Sequence, residues 1–200
     1  MIPSRRLLAT AFWILAIFPV WGCALPQEGR LPKAELPTAP PVAEPKPSLS
    51  FQISFLPPGS DKEQKLIGEF VQEFESSHVF GMIAQAPAAS DIRMKIVLTQ
   101  ACAATSKDFA LYLATGGLSP IHVPCEYELQ AEIHGCSGKY VKYEIRDKVS
   151  SLVLAPGWPP GVDWSIDPAS SEVRRNMYRT LMVKMCKDGV IGECADLPRN

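Results

Sequence analysis

The chain has 200 residues, 20 of them Lys or Arg against 21 Asp or Glu, for a net charge of −1. That balance offers no basic excess with which to neutralise a nucleic-acid backbone, so nucleic acid is excluded as a partner. Beyond its first 49 residues the chain is long enough for one hydrophobic core and too short for two.

Reading from the N-terminus, Arg5 and Arg6 precede a run from Leu7 to Val20 that is apolar apart from Thr10 and is broken near its end by Pro19. A basic start followed by a short apolar stretch is the pattern of a secretory signal. The run closes on Val20-Trp21-Gly22-Cys23, which resembles the lipobox of bacterial lipoprotein precursors, with Trp21 standing where a small residue is usual. The resemblance implies that residues 1–22 are a removable signal peptide, that Cys23 becomes the acylated first residue, and that Ala24 directs the product to the outer membrane of a Gram-negative cell. Two other readings of the same residues stay open: an uncleaved membrane helix over Leu7–Leu25, and cleavage after Ala24 that releases a periplasmic protein.

Loss of residues 1–22 leaves 18 basic against 21 acidic residues, so the mature chain is more acidic still. Residues 23–49 follow as a tether. Seven of the 19 prolines fall between Pro26 and Pro47, with no aromatic residue and no apolar periodicity, so this stretch buries too little surface to offset its ordering entropy. Fully extended as polyproline II at ~3.1 Å per residue, it would reach roughly 70 Å.

Residues 50–200 are expected to form the folded domain. Phe51 to Phe55 alternates apolar and polar as a half-buried strand. Ser60 and Glu63 make a capping-box pattern, and Leu66, Ile67, Phe70, Val71 and Phe74 recur at helical spacing to about Ser77. Val79–Ala84 and Ile92–Thr99 read as the next two strands. Between Cys125 and Val149 two alternating runs flank a loop at 136–138, in which Gly138 takes the left-handed conformation. That turn sets Glu132 opposite Lys142, Glu128 opposite Arg146 and Glu126 opposite Lys148, with Leu129 facing Ile145 on the other side. A slip by one residue would put apolar against charged side chains. Ser150–Ala155 continues or begins a strand. Asp167 and Pro168 open a last helix carrying Val173, Met177, Tyr178, Leu181, Met182 and Met185, which Gly189 ends. The expected fold is α+β: one antiparallel or mixed sheet of five to six strands with two main helices on one face.

Phe109–Pro120 is uncharged and closes on Gly117-Leu118-Ser119-Pro120. It resembles the hydrophobic insertion, ending in Gly-x-x-Pro, of some small uncharacterised Gram-negative envelope lipoproteins with a short α+β domain. The resemblance implies an envelope role and lends no catalytic residues. The stretch itself reads as a buried turn or as a contact surface built on Leu111, Leu113 and Leu118. Trp158 and Trp164 bracket a Pro-Gly loop that either stacks a ligand or plugs the core.

Export sets disulfides as the default for the five cysteines after Cys23. Antiparallel pairing of the strand ending near Thr99 with the one starting at Cys125 brings Cys102 and Cys125 to the same end of the sheet. Cys186 and Cys194 flank the C-terminal turn and form the second expected bridge, leaving Cys136 in a hairpin turn. His122, Cys125, His134 and Cys136 match no common zinc spacing, so no metal or other cofactor is expected. No nucleophile elbow or metalloprotease helix motif occurs, and the charged ladder is a solvated sheet face. The sequence therefore reads as a membrane-anchored periplasmic lipoprotein without enzymatic activity, working through an envelope protein partner. The other readings are a lipid- or peptidoglycan-binding module and an envelope hydrolase without a recognisable motif.

Overall fold

A computed structural model describes residues 30–36, 46–56, 58, 60–86, 89–103, 105–116, 119, 121–136, 138–153 and 168–191. Strand β1 (Ser48–Leu56) leads into helix α1 (Ser60–Ser76), β2 (Met82–Gln85), β3 (Ile92–Cys102), helix α2 (Ser106–Ala114), β4 (Ile121–His134), β5 (Tyr140–Val153) and helix α3 (Pro168–Lys187). The five strands form one mixed sheet in the order β2-β1-β3-β4-β5. Both neighbours of β1 run parallel to it, which requires crossovers, and α1 supplies the one between β1 and β2. The pairs β3–β4 and β4–β5 are antiparallel. This is the α+β fold expected from the chain.

The core lies between one sheet face and helices α1 and α3. Phe51, Ile53, Ile92, Met94, Ile96, Leu129, Ile133 and Ile145 point inward from the strands; Leu66, Phe70 and Phe74 meet them from α1, and Val173, Met177, Tyr178, Leu181 and Met185 from α3. Rings of Phe51, Phe70, Phe74 and Tyr178 stack edge and face through the centre, at centroid distances of 4.2 to 5.2 Å. The two helices are also joined by charge. Glu69 of α1 takes hydrogen bonds from Ser171 Oγ at 3.1 Å and from Arg174 Nε at 2.9 Å, and Arg174 Nη2 lies 2.8 Å from the same carboxylate. One turn further, Glu73 pairs with Arg179.

The β4–β5 register is the one dictated by the alternation: Glu132 opposite Lys142, Glu128 opposite Arg146, Glu126 opposite Lys148 and Leu129 opposite Ile145. The carboxylates of Glu132 and Glu126 accept from the facing lysines at 2.7 and 2.6 Å. These hydrogen bonds hold both carboxyls below the usual carboxylate range. Gly138 takes φ = 77°, the left-handed value that the loop needs. Gly189, at φ = 75°, ends α3 in a Schellman arrangement: Val190 N–H donates to Met185 O and Gly189 N–H to Cys186 O. The reversal lays Val190 against Gly135, while Lys139 Nζ donates to Asp188 O and Tyr143 Oη to Asp188 Oδ2. The end of α3 is thus fastened to the hairpin turn.

Two segments differ from their expected form. The uncharged stretch expected as a buried turn or contact surface is largely helical, from Ser106 to Ala114, and β4 starts at Ile121, four residues ahead of Cys125. The helix opens on an N-cap, in which Thr105 Oγ1 accepts from Asp108 N–H and donates to Asp108 Oδ2. Residues 30–36, in the proline-rich stretch, lie against the domain. Leu31 N–H donates to Asp147 Oδ1 at 2.9 Å, Ala34 N–H donates to Asn176 Oδ1 at 2.8 Å, and Leu31 and Leu36 pack on the core. No periodicity is needed for this docking, because side-chain acceptors of the domain meet the strap's backbone donors. Among the described residues no helix is long and apolar enough to cross a membrane.

Candidate functional site

Cys102 and Cys125 are directly opposed at the end of the β3–β4 ladder and form a disulfide across 23 residues of sequence. Everything between β3 and β4, including α2, is closed into a loop by that bond. Within the loop Tyr112 is buried, whereas Phe109, Leu111 and Leu113 are 48, 52 and 61% exposed. A helix in this position would ordinarily turn its leucines inward. Here Thr115 Oγ1 bonds back to the carbonyls of Leu111 and Tyr112 and accepts from Ser119 N–H, so the turn that follows is fixed while the apolar side chains face out. Of the three leucines that the sequence nominates as a contact surface, Leu111 and Leu113 lie on this helix; Leu118 is outside the described residues, as are Trp158, Trp164 and Cys23.

The second expected bridge is corrected. Cys186 is a free thiol, packed half-buried on the core from the last turn of α3, and burial pushes its pKa up. Cys194 lies outside the described residues. Cys136, expected to be left over, is itself disulfide-bonded. Sequence proximity misleads here because the side of α3 that carries Cys186 packs on the core. Cys125 and Cys136, both spent in disulfides, have no thiolate to offer a metal. Among the described residues no three His, Cys, Asp or Glu side chains gather as a metal site.

One Ser–His contact exists between β4 and β5: Ser150 Oγ lies 2.7 Å from His122 Nε2. Ser150 is only 1% exposed, so a scissile group has no approach to its hydroxyl, and the contact ties the two strands together. Tyr127 Oη donates to Ser170 Oγ at 2.5 Å in the interior, fastening the start of α3 to the centre of the sheet.

A cleft of about 650 Å³ opens between residues 30–36 and α3. Arg30, Lys33, Arg175 and Arg179 line it against a single carboxylate, Glu172. Asn176 builds it: its Oδ1 accepts from Ala34, and its Nδ2 reaches the carbonyls of Leu31 at 3.4 Å and Pro32 at 3.2 Å. Beneath the strap, Asp147 is 1% exposed on the inner face of β5. Burial holds its carboxyl above the usual carboxylate range, against the pull of the Leu31 and Lys148 N–H groups and of Arg30.

Because this group binds its proton more readily in the folded chain than in the unfolded one, its ionisation costs stability above the folded pKa. That cost disappears as pH falls toward the unfolded value of about 3.9. Asp147→Asn keeps an oxygen for the Leu31 N–H and removes the charge. The variant is expected to be more stable than the native chain at pH 7, with the difference shrinking toward pH 4 in urea denaturation; a constant deficit across that range would contradict the assignment.

None of the cleft residues was marked out by the sequence, since Arg30 and Lys33 are separated from Arg175 and Arg179 by some 140 positions in a chain without net positive charge. No protein-family model matches the chain, and no curated protein matches it. Among solved structures it is similar to rare lipoprotein B from Shewanella oneidensis, at 11% identity and TM-score 0.36, over 73% of this chain and 95% of that one. It is similar to a hypothetical protein from Chlamydia trachomatis at 9% identity and TM-score 0.40, over 73% and 98%. A minor lipoprotein from Acinetobacter baumannii is similar at 10% identity and TM-score 0.33, over 73% and 94%. These likenesses are loose, at 9–11% identity.

Proposed function

We propose that this chain is an envelope lipoprotein, anchored in the outer membrane through acylated Cys23, whose periplasmic domain acts by binding a protein partner and not by catalysis. The observation that carries the reading is the disulfide-closed loop between Cys102 and Cys125. A disulfide of this kind persists in an oxidising compartment, which accords with export, and the helix inside the loop presents Phe109, Leu111 and Leu113 to solvent on a tightly capped support. The anchor is supported by the basic start, the apolar run and Val20-Trp21-Gly22-Cys23. Several acyl chains at ~0.8 kcal/mol per buried methylene make such an anchor stable where one chain would bind only reversibly.

Labelled palmitate fed to expressing cells tests it. The native chain is expected to incorporate label and Cys23→Ser to incorporate none. An unlabelled native chain, or equal labelling of both, would overturn the anchor.

A further inference from the structure

The cleft between residues 30–36 and α3 has a charge distribution that the domain's own ion pairs do not use up. Arg179 is committed to Glu73, and Arg30 lies 3.4 Å from Glu172, a carboxylate whose side chain is 72% exposed. Lys33 and Arg175 are exposed, and among the described residues no carboxylate is paired with either. Of the four cations lining this concave space, Arg30 and Arg179 are ion-paired and Lys33 and Arg175 are left over, in a chain that is acidic as a whole. Like charges so placed repel one another unless an anion fills the space. At about 650 Å³ the cleft is the size of a small-molecule site, too large for a bare ion alone. Guanidinium groups grip phosphate oxygens two at a time, and a lysine adds a point charge.

We infer that this cleft binds a phosphate-bearing anion of headgroup size, held by Arg175 and Lys33 with Arg30 and Arg179 at its flanks. Two sources share that chemistry, an anionic phospholipid headgroup and a soluble phosphate. The headgroup source rests on the lipid-anchor reading. Arg30 is seven residues from Cys23, and seven extended residues at ~3.5 Å each span only about 25 Å, so the docked strap would keep the cleft near the leaflet holding the anchor. On that geometry the tether does not hold the domain at arm's length; it folds back to form one wall of the site.

The test uses the full chain purified in a non-ionic detergent. Isothermal titration is run with dihexanoyl-phosphatidylglycerol, with dihexanoyl-phosphatidylcholine and with inorganic phosphate. The native chain is expected to bind the phosphatidylglycerol about tenfold or more tightly than the phosphatidylcholine. Lys33→Ala combined with Arg175→Ala is expected to lose about tenfold or more of that affinity while melting at the native temperature without ligand. Tighter binding of inorganic phosphate than of the phosphatidylglycerol, lost in the same variant, would support the site and assign its ligand to solution. No binding of either anion up to about 10 mM, or unchanged affinity in the double variant, would overturn it. Failure here leaves palmitate labelling of Cys23 untouched, and failure of that labelling leaves phosphate binding untouched, so the two readings fall separately.

Discussion

Glu69→Ala is expected to cost about 3–5 kcal/mol of folding stability, read as a lowered urea midpoint with an unchanged slope. Arg174 is the reason. Its side chain is 0% exposed, and its Nε and Nη2 both face the Glu69 carboxylate, so the substitution takes the carboxylate from a guanidinium that water cannot reach. Ser171 Oγ loses its acceptor in the same step. Glu73→Ala, one turn along, is expected to cost far less, because the Arg179 side chain is 36% exposed and can rehydrate. Replacing both Glu69 and Arg174 by Met should recover most of the loss, since a buried pair exchanged for packed apolar groups is often neutral. A Glu69→Ala loss below about 1 kcal/mol would mean that the Glu69–Arg174 pair adds little to the α1–α3 contact.

Replacing Cys102 and Cys125 together by Ala is expected to lower stability by about 3 kcal/mol, the chain-entropy value for a loop closed across 23 residues. The β3–β4 register should survive, because eight further pairs from Met94–Ile133 to Ala101–Glu126 specify it. What should change is α2. Its helix has nine residues, one turn of capping at each end and a single buried side chain, so its placement depends on the bond that closes the loop. Limited proteolysis between Ser106 and Ala114 is expected in the variant and not in the native chain. A variant as stable and as protected as the native chain would show that the α2 loop is held by other contacts.

The parts of this structure that were legible in the sequence are those fixed by local alternation. Glu126, Glu128 and Glu132 set against Lys148, Arg146 and Lys142 leave one acceptable hairpin register once Gly138 supplies the turn. The same pairing logic brings Cys102 to Cys125. The helix inside that loop escaped notice because its signal is short: Thr105 with Asp108 three residues on, ahead of an uncharged run that alternates as readily as it repeats every three or four residues. The pairing of Cys186 failed for a different reason. Nothing in the spacing around Gly189 says where the chain goes after α3, and the Schellman turn sends it toward the hairpin instead of back along the helix.

Least legible was the cleft. Its strap docks through backbone N–H groups of Leu31 and Ala34 onto Asp147 and Asn176, and backbone donors leave no trace in composition. Proline richness reads as a free tether over residues 23–49, whereas residues 30–36 are docked on the domain. Polar side chains more than a hundred positions away meet their amide groups.

Acylation of Cys23 is the step on which the proposed anchor turns. Digestion of protein taken from expressing cells with trypsin separates the possibilities by mass, since Arg6 and Arg30 bound the region. The expected product is a peptide that begins at Cys23, ends at Arg30 and carries acyl chains on its first residue. An unmodified peptide beginning at Leu25, or one running from Leu7 to Arg30, would contradict it.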